Sequence, residues 1–249
     1  MKAFLLAAGL GTRLRPLTDT VPKCLVPIAG RPLLAYWIAL LERHGFEEVL
    51  LNIHHLPEHV REFVRCLSSR VRVTLFEEPH LLGSAGTVMT NREWVADGRP
   101  FLVANADNLT NVDLSRLMAV HTRHRPLLTM ALFRTDEPTR CGIAELQTGS
   151  DSGAIVSFVE KPAHPKSNLA NAGVYVTDVR VVDRIPRRLP ADFGHDVLPA
   201  LVGEMYGHVL SEHEQLIDVG TWQSYDRAQR EVVRWGLLDG DIETQEADQ

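Results

Sequence analysis

Leu6-Ala-Ala-Gly-Leu-Gly-Thr-Arg-Leu-Arg-Pro-Leu-Thr18, running on to Pro22-Lys23, is the stretch from which the fold is read. It begins inside an apolar run, Lys2–Ala8, of the kind buried on both faces of a parallel sheet. The run breaks into a long polar loop, Gly9–Pro22. Gly9 and Gly11, just past the strand, let the backbone approach a phosphate and offer N–H donors to it. Arg13 can fork onto phosphate oxygens, and Lys23 adds a mobile point charge. A dinucleotide fingerprint is excluded because the third glycine of G-x-G-x-x-G is missing, and no G-x-x-x-x-G-K-[ST] run occurs.

The pattern outward from this loop alternates. Pro32 opens a helix through His44, with Leu33, Leu34, Trp37, Ile38 and Leu41 at helical spacing and Gly45 as its stop. Val49–Ile53 reads as a strand, Pro57–Leu67 as a helix, Val71–Phe76 as a strand and Gly86–Val95 as a helix. Phe101–Ala104 is a strand running towards Asp107, and Asp113 caps a helix through His121. Such alternation predicts right-handed crossovers and a mostly parallel sheet. After Pro126 come the short strands Leu127–Phe133, Ile143–Leu146, Ile155–Phe158 and Gly173–Val176, which suggest mixed or antiparallel additions. Val179–Ile185 and Thr221–Trp235 read as helical, and Gly207–Leu210 and Gln215–Val219 as extended. The fold class is therefore α/β, a Rossmann-like, mixed and mostly parallel sheet flanked by helices. A single domain is expected over 1–237, in halves of about 1–125 and 126–237, followed by an acidic tail at 238–249.

Composition narrows the function classes. The 249 residues are 45% hydrophobic and 23% charged, as in an ordinary globular protein and unlike a disordered one. With 26 basic against 32 acidic residues the net charge is −6, so nucleic acid is not an expected partner. No apolar run reaches the roughly 20 residues that span a bilayer. The apolar start is too short for a signal peptide, and Arg13 and Arg15 follow it at once. Three widely spaced cysteines, Cys24, Cys66 and Cys141, fit a reducing cytoplasm better than a disulfide framework. His54, His55 and His59 lack a recurring Cys or acidic partner and read as strand-end and helix-start residues, not zinc ligands.

Taken whole, the motif Gly9-x-Gly11-Thr12-Arg13, Thr18 and Pro22-Lys23 resembles the opening of the sugar-1-phosphate nucleotidyltransferases, the NDP-sugar pyrophosphorylases. Resemblance continues in order at Gly83-Ser-Ala-Gly-Thr, Asp107, Glu160-Lys161-Pro162, Asn171-Ala-Gly173 and Asp218-Val-Gly-Thr. The run of motifs looks most like the mannose-1-phosphate guanylyltransferase branch. Many relatives append a β-helix of hexapeptide repeats, whereas here the matched motifs fill the chain to about Trp235, so a catalytic unit alone is expected.

The resemblance implies a nucleotide-diphospho-sugar transferase fold and a reaction that transfers a nucleoside monophosphate from an NTP to a sugar or cyclitol phosphate. It implies Mg²⁺ held by Asp107 and Asp218, a hard ion suited to one or two carboxylates plus phosphate oxygens. Arg13 and Lys23 become the catalytic cations. Leu6, Ala8, Gly9, Gly11, Thr12, Arg13, Lys23, Glu78, Gly83 and Ser84 would line the nucleotide. Asn105, Gly142, Glu160, Lys161, Asn171 and Gly173 would line the acceptor, with Lys161 on its phosphate. Monomer or small homo-oligomer is the expected state. Read in isolation, Asp107-Asn108 could be a turn and Asp218 could cap the following helix.

Glu78 bears on the base. A carboxylate accepts from guanine N1–H and N2–H₂, whereas a glutamine amide complements uracil or thymine, so GTP is favoured over UTP or dTTP. A solvated Glu77-Glu78-Pro79 loop is the other reading. Two rivals stand: transfer of CMP to phosphocholine, and a non-catalytic regulatory subunit that only binds nucleotide sugar. Asn105-Ala-Asp107, Cys24 and Cys141 depart from the usual pattern near the acceptor, leaving the sugar open.

Overall fold

Lys2–Leu6 forms strand β1, whose central residues Ala3, Phe4 and Leu5 are wholly buried. In the computed structural model, which describes residues 1–147 and 151–237, it is followed by the paired two-residue strands β2 (Pro27–Ile28) and β3 (Arg31–Pro32). Next come α1 (Leu33–Arg43), β4 (Glu48–Ile53), α2 (Pro57–Arg65) and β5 (Arg72–Glu77). The chain continues through α3 (Ser84–Thr90), β6 (Phe101–Asn105), β7 (Asn108–Thr110), α4 (Leu114–His124) and β8 (Leu128–Arg134). Then follow β9 (Gly142–Leu146), β10 (Ser152–Glu160), β11 (Leu169–Thr177), β12 (Met205–Val209), β13 (Leu216–Asp218) and α5 (Trp222–Arg234). The acidic tail expected at 238–249 lies outside the described residues.

These elements form two compact units, neither continuous in the chain. The first takes Met1–Leu81, Asn105–Val112 and the chain from Gln215; the second takes Leu82–Ala104 and Asp113–Glu214. They do not coincide with the consecutive stretches 1–125 and 126–237.

In the first unit β1, β4 and β5 pair in parallel, as strands joined through helices require; β1 and β4 are buried apolar strands, while β5 alternates and has no buried residue. Helix α1 carries the hydrophobic spacing read from the sequence and buries Leu33, Leu34, Trp37, Ile38 and Leu41. Trp37 is 1% exposed, and its indole N–H donates to the Asn108 carbonyl at 2.7 Å, satisfying the one polar atom that so large a core residue brings. A separate core joins Leu14 of the glycine loop to Leu33, Leu109, Ile217, Val219 and Val232. This is why late chain segments return to the first unit: β13 pairs antiparallel with β7, and α5 packs its buried Ala228 and Val232 beneath the loop. The α5 side chains of Tyr225 and Gln229 donate to the Pro27 carbonyl at 2.9 and 2.7 Å. Thr221 caps α5 by accepting the Ser224 N–H.

In the second unit the strand order is β6-β11-β8-β12-β10-β9, with β11 also meeting β9. β8 and β12 run parallel, and the remaining neighbours run antiparallel. The short strands after Pro126 thus make the sheet mixed. Asp113 caps α4 by accepting the Arg116 N–H at 2.9 Å, as its position before the helix predicts. Among the described residues no helix is long and apolar enough to cross a membrane.

Candidate active site

The loop after β1 is folded on its own residues. Gly11 stands at φ +63°, a left-handed conformation, and a Cβ there would lie 2.9 Å from Thr18 Cγ2 and 3.1 Å from Lys23 Cβ. Thr18 Oγ1 donates to the Gly11 carbonyl at 2.8 Å. His55 Nε2 lies 2.8 Å from the Thr18 carbonyl, so that nitrogen carries the hydrogen and pins the loop from outside. This accounts for one of the three clustered histidines, and among the described residues no cluster of three or more His, Cys, Asp or Glu is arranged to hold a metal. Gly9 leaves its backbone bare, since a Cβ there would meet nothing within 4 Å.

Lys23 is 8% exposed, and its ammonium sits between two carboxylates. It is ion-paired to Asp107, and its Nζ is 3.6 Å from Asp218 Oδ1. The antiparallel pairing of β7 with β13 delivers the second aspartate to the first, with Asn108 opposite Asp218. Desolvation by the surrounding protein raises the Asp218 carboxyl above its ordinary value, although 59% of its side chain stays exposed. The Asp107 charge adds to that rise, and Lys23 and Arg13 oppose it. Arg13 reaches the same place: a Cβ on Gly220 would lie 2.7 Å from Arg13 Nη2 and 2.9 Å from Asp218 Oδ1. Arg13 makes no hydrogen bond to the described residues through its guanidinium, which leaves its donors for a ligand. Two repelling carboxylates balanced by one lysine are hard oxygen donors of the kind that divalent cations such as Mg²⁺ take.

At the carboxyl end of the same parallel strands, Glu78 is 2% exposed. A solvated loop is therefore excluded for Glu78, while Glu77 is exposed and paired with Arg61. Asn52 donates to Glu78 Oε1 at 2.8 Å and accepts the Ala7 N–H on Oδ1 at 2.6 Å. Asn52 belongs to no motif. Its signal was an amide near the end of an otherwise apolar strand, where a buried polar group needs partners. Leu6 ends β1 and accepts the Ala106 N–H at 3.0 Å, Ala8 is buried, and Asn105 ends β6. Thr12 opens a short 3₁₀ turn that also holds Arg13.

Gly142, Glu160, Lys161, Asn171 and Gly173, expected on the acceptor, lie in the second unit together with Gly83 and Ser84, expected on the nucleotide, whereas Asn105 lies in the first. Gly83, at φ +79°, lies so close to Ala191 that a Cβ would come within 2.3 Å of its carbonyl oxygen. That carbonyl accepts the N–H groups of Ala85 and Gly86 at 3.0 and 3.1 Å. Ser84 Oγ donates to Asp192 Oδ2 at 2.7 Å and accepts the Phe193 N–H at 2.8 Å. The Ser84 hydroxyl expected on the nucleotide is thus engaged with the 191–196 segment. Glu160 ends β10, and its Oε1 is 3.5 Å from Lys161 Nζ. Lys161 takes the left-handed φ of +48°, uncommon for a lysine, and its N–H donates to the Cys141 carbonyl at 3.0 Å. Asn171 spends one amide hydrogen on Tyr175 Oη at 2.7 Å and accepts the Gly173 N–H at 2.9 Å, across the bulge in β11. Burial pushes the Tyr175 hydroxyl well above its ordinary value; the Asn171 bond opposes the shift, and Asp192 and Glu160 reinforce it.

A family model for nucleotidyl transferases matches residues 2–234. The chain belongs to the nucleotidyl transferase family. It is 33% identical over 228 residues to the mannose-1-phosphate guanyltransferase of Schizosaccharomyces pombe, covering 90% of this chain and 62% of that protein. It is 32% identical over 216 residues to mannose-1-phosphate guanylyltransferase 1 of Arabidopsis thaliana, covering 84% and 59%. The chain thus spans about three fifths of the length of these curated relatives. Among solved structures, UDP-glucose pyrophosphorylase from Acinetobacter baumannii superposes with a TM-score of 0.83 at 21% identity, over 97% of this chain and 95% of that one. HddC from Yersinia pseudotuberculosis, complexed with GMP-PN, gives a TM-score of 0.76 at 22% identity, over 92% and 98%. These likenesses establish the nucleotidyl transferase fold.

Besides Asn52, the roles of Tyr175, Asp192 and Gly220 emerge only from the structure. Tyr175 and Asp192 hold Asn171 and Ser84 and carry no motif of their own. Gly220 lay inside a quoted motif, yet the space it leaves for Arg13 is visible only in three dimensions.

Proposed function

We propose that this nucleotidyl transferase moves a nucleoside monophosphate, GMP in preference, from an NTP to a sugar 1-phosphate, releasing pyrophosphate. The observation that carries the reading is the Lys23 ammonium between Asp107 and Asp218, with Arg13 against Gly220 beside them. Bringing a triphosphate to a phosphate monoester is opposed by anion repulsion, so positioning and charge stabilisation supply most of the catalysis. Arg13 neutralises charge on the triphosphate and on the departing pyrophosphate. Lys23 orients the two aspartates and the nucleotide phosphates. Asp107 and Asp218 would hold Mg²⁺, which would supply Lewis-acid stabilisation of charge at the α-phosphate.

On the acceptor side, Lys161 holds the sugar phosphate and Glu160 faces its ring substituents. An oxygen of the sugar phosphate forms the new bond to the α-phosphorus, in line. The bond to the α,β-bridging oxygen breaks, and its electron pair leaves with pyrophosphate. That nucleophile is already ionised near neutral pH, so no side chain need remove a proton.

Buried Glu78 supports guanine, and the names of the curated relatives support both GTP and mannose 1-phosphate. Three free cysteines suit a reducing cytoplasm. The test is pyrophosphate release with four NTPs against a panel of sugar and cyclitol 1-phosphates. GTP with a hexose 1-phosphate is expected to give the highest kcat/KM. No turnover with any pair, alongside tight binding of a nucleotide sugar, would overturn the reading in favour of a regulatory subunit.

A further inference from the structure

Four consecutive residues at the carboxyl end of β4 hold two segments that the proposed reaction needs in register. Asn52 donates from its side chain to Glu78 Oε1 at 2.8 Å, and the Ile53 carbonyl accepts the Glu78 N–H at 2.8 Å. His54 Nδ1 lies 2.7 Å from the Glu78 carbonyl, and His55 Nε2 lies 2.8 Å from the Thr18 carbonyl. A carbonyl only accepts, so each of those ring nitrogens carries a hydrogen. Glu78 is thus fixed at its N–H, its carbonyl and its carboxylate by three successive residues, and the glycine loop is fixed by the fourth. Leu56, next in the chain, takes a left-handed φ of +50°, uncommon for a leucine, and turns the backbone at once into α2. A backbone in so sparsely populated a region persists where its surroundings fix it.

We propose that His54 and His55 are positioning residues that hold the base-reading glutamate and the phosphate loop in one register. His54 acts on base choice through the Glu78 backbone. His55 acts on turnover through the loop that carries Arg13 and leads to Lys23. The proposal rests on the guanine reading of Glu78 and goes beyond it in giving the two histidines separate roles. Those roles are separable because the rings use different nitrogens. An asparagine amide reaches to where Nδ1 stands, and a glutamine amide reaches to where Nε2 stands. His54→Asn and His55→Gln therefore keep the donor, whereas His54→Leu and His55→Leu fill similar space and remove it.

The experiment is steady-state pyrophosphate release by the full chain with mannose 1-phosphate and either GTP or UTP. Wild type and the four variants are compared, with circular dichroism checking the fold. His54→Leu is expected to lower the ratio of kcat/KM for GTP over UTP by about fivefold, with kcat at saturating GTP little changed. His55→Leu is expected to lower kcat at saturating GTP by about fivefold and to leave the ratio unmoved. His54→Asn and His55→Gln should each restore most of the loss. Should a leucine variant not fold, His54→Gln or His55→Asn replaces it, since each keeps an amide at the wrong reach. A loss in folded His54→Leu that is equal for GTP and UTP overturns the positioning roles while leaving the guanine reading standing. Failure of His54→Asn and His55→Gln to restore what the leucine variants lose does the same. A wild type that turns over neither nucleotide, or uses both equally well, overturns the guanine reading and the proposal together.

Discussion

The N–H of Val219 donates to the Asp107 carbonyl at 2.9 Å, one step beyond the register pair Asn108–Asp218. That contact extends the short β7–β13 ladder to the residue that carries the first carboxylate. Two aspartates far apart in the chain are thereby held by backbone hydrogen bonds and not by side-chain chance. Lys23 then offsets the repulsion that this placement creates.

Replacing Asp107 by Asn should expose the consequence. The isosteric amide keeps the backbone bond to Val219 and removes one of two proposed metal ligands. Loss of kcat by about 10²–10³-fold is expected even in saturating Mg²⁺, with little change in melting temperature. Steady-state pyrophosphate release across a Mg²⁺ titration checks it. A rate within twofold of wild type would remove Asp107 from the metal assignment.

Gly11→Ala tests the loop itself. The added methyl meets Thr18 Cγ2 at 2.9 Å, and the left-handed φ of +63° is unfavourable for any Cβ. Both effects act on the segment that aims Lys23. Destabilisation of about 1–3 kcal/mol is expected by denaturant titration, together with reduced kcat. An unchanged midpoint would mean that the loop relaxes freely and that its packing is not what positions Lys23.

How much of this was legible in the sequence depended on whether the signal was local. Helix α1, the parallel strands β1, β4 and β5, and the cap at Asp113 follow from spacing and from residues adjacent in the chain, whereas α5 is capped by Thr221 and not by Asp218. The helix read over Gly86–Val95 instead begins at Ser84 and gives way to a 3₁₀ turn at Arg92–Val95. Ala191 explains the early start, because its carbonyl occupies the N–H groups of Ala85 and Gly86. Position in the chain also said nothing of burial: Glu77 and Glu78 are neighbours, yet only Glu78 points inward, to Asn52. Ser84 shows the same limit, since its motif suggested a ligand and its partners lie more than a hundred residues away.

Two buried histidines predict the pH dependence of stability. His121 is 3% exposed with Nδ1 2.9 Å from Thr129 Oγ1, and His208 is 4% exposed with neither ring nitrogen hydrogen-bonded. Burial holds both below the ordinary histidine value; Asp178 partly opposes the shift at His121, and Arg116 reinforces it at His208. Above about pH 6.5 both are neutral, folded or unfolded, and contribute no slope. As pH falls below that value the unfolded chain takes up protons that the fold resists, so stability drops until the folded values are reached. The slope approaches about 1.4 kcal/mol per pH unit for each site. Melting curves between pH 8 and 5 should show the loss, and His208→Leu should flatten part of it while leaving the midpoint at pH 8 little changed. A His208→Leu profile parallel to wild type would contradict this.

Base choice gives the last prediction. Asn52 holds Glu78 Oε1 from below at 2.8 Å, so the carboxylate is oriented before any nucleotide arrives. Its charge suits the two N–H donors of guanine and repels the acceptor oxygens that uracil and thymine present. Glu78→Gln keeps the size and removes the charge, and its amide can turn an N–H outward. The ratio of kcat/KM for GTP over UTP is therefore expected to fall by about tenfold or more, because a charge-assisted bond is exchanged for a neutral one. Glu77→Gln is the matched control, since Glu77 is exposed and paired with Arg61, and its ratio should not move. If both variants keep the wild-type ratio, the buried glutamate is structural, and base selection must be sought elsewhere in the nucleotide loop.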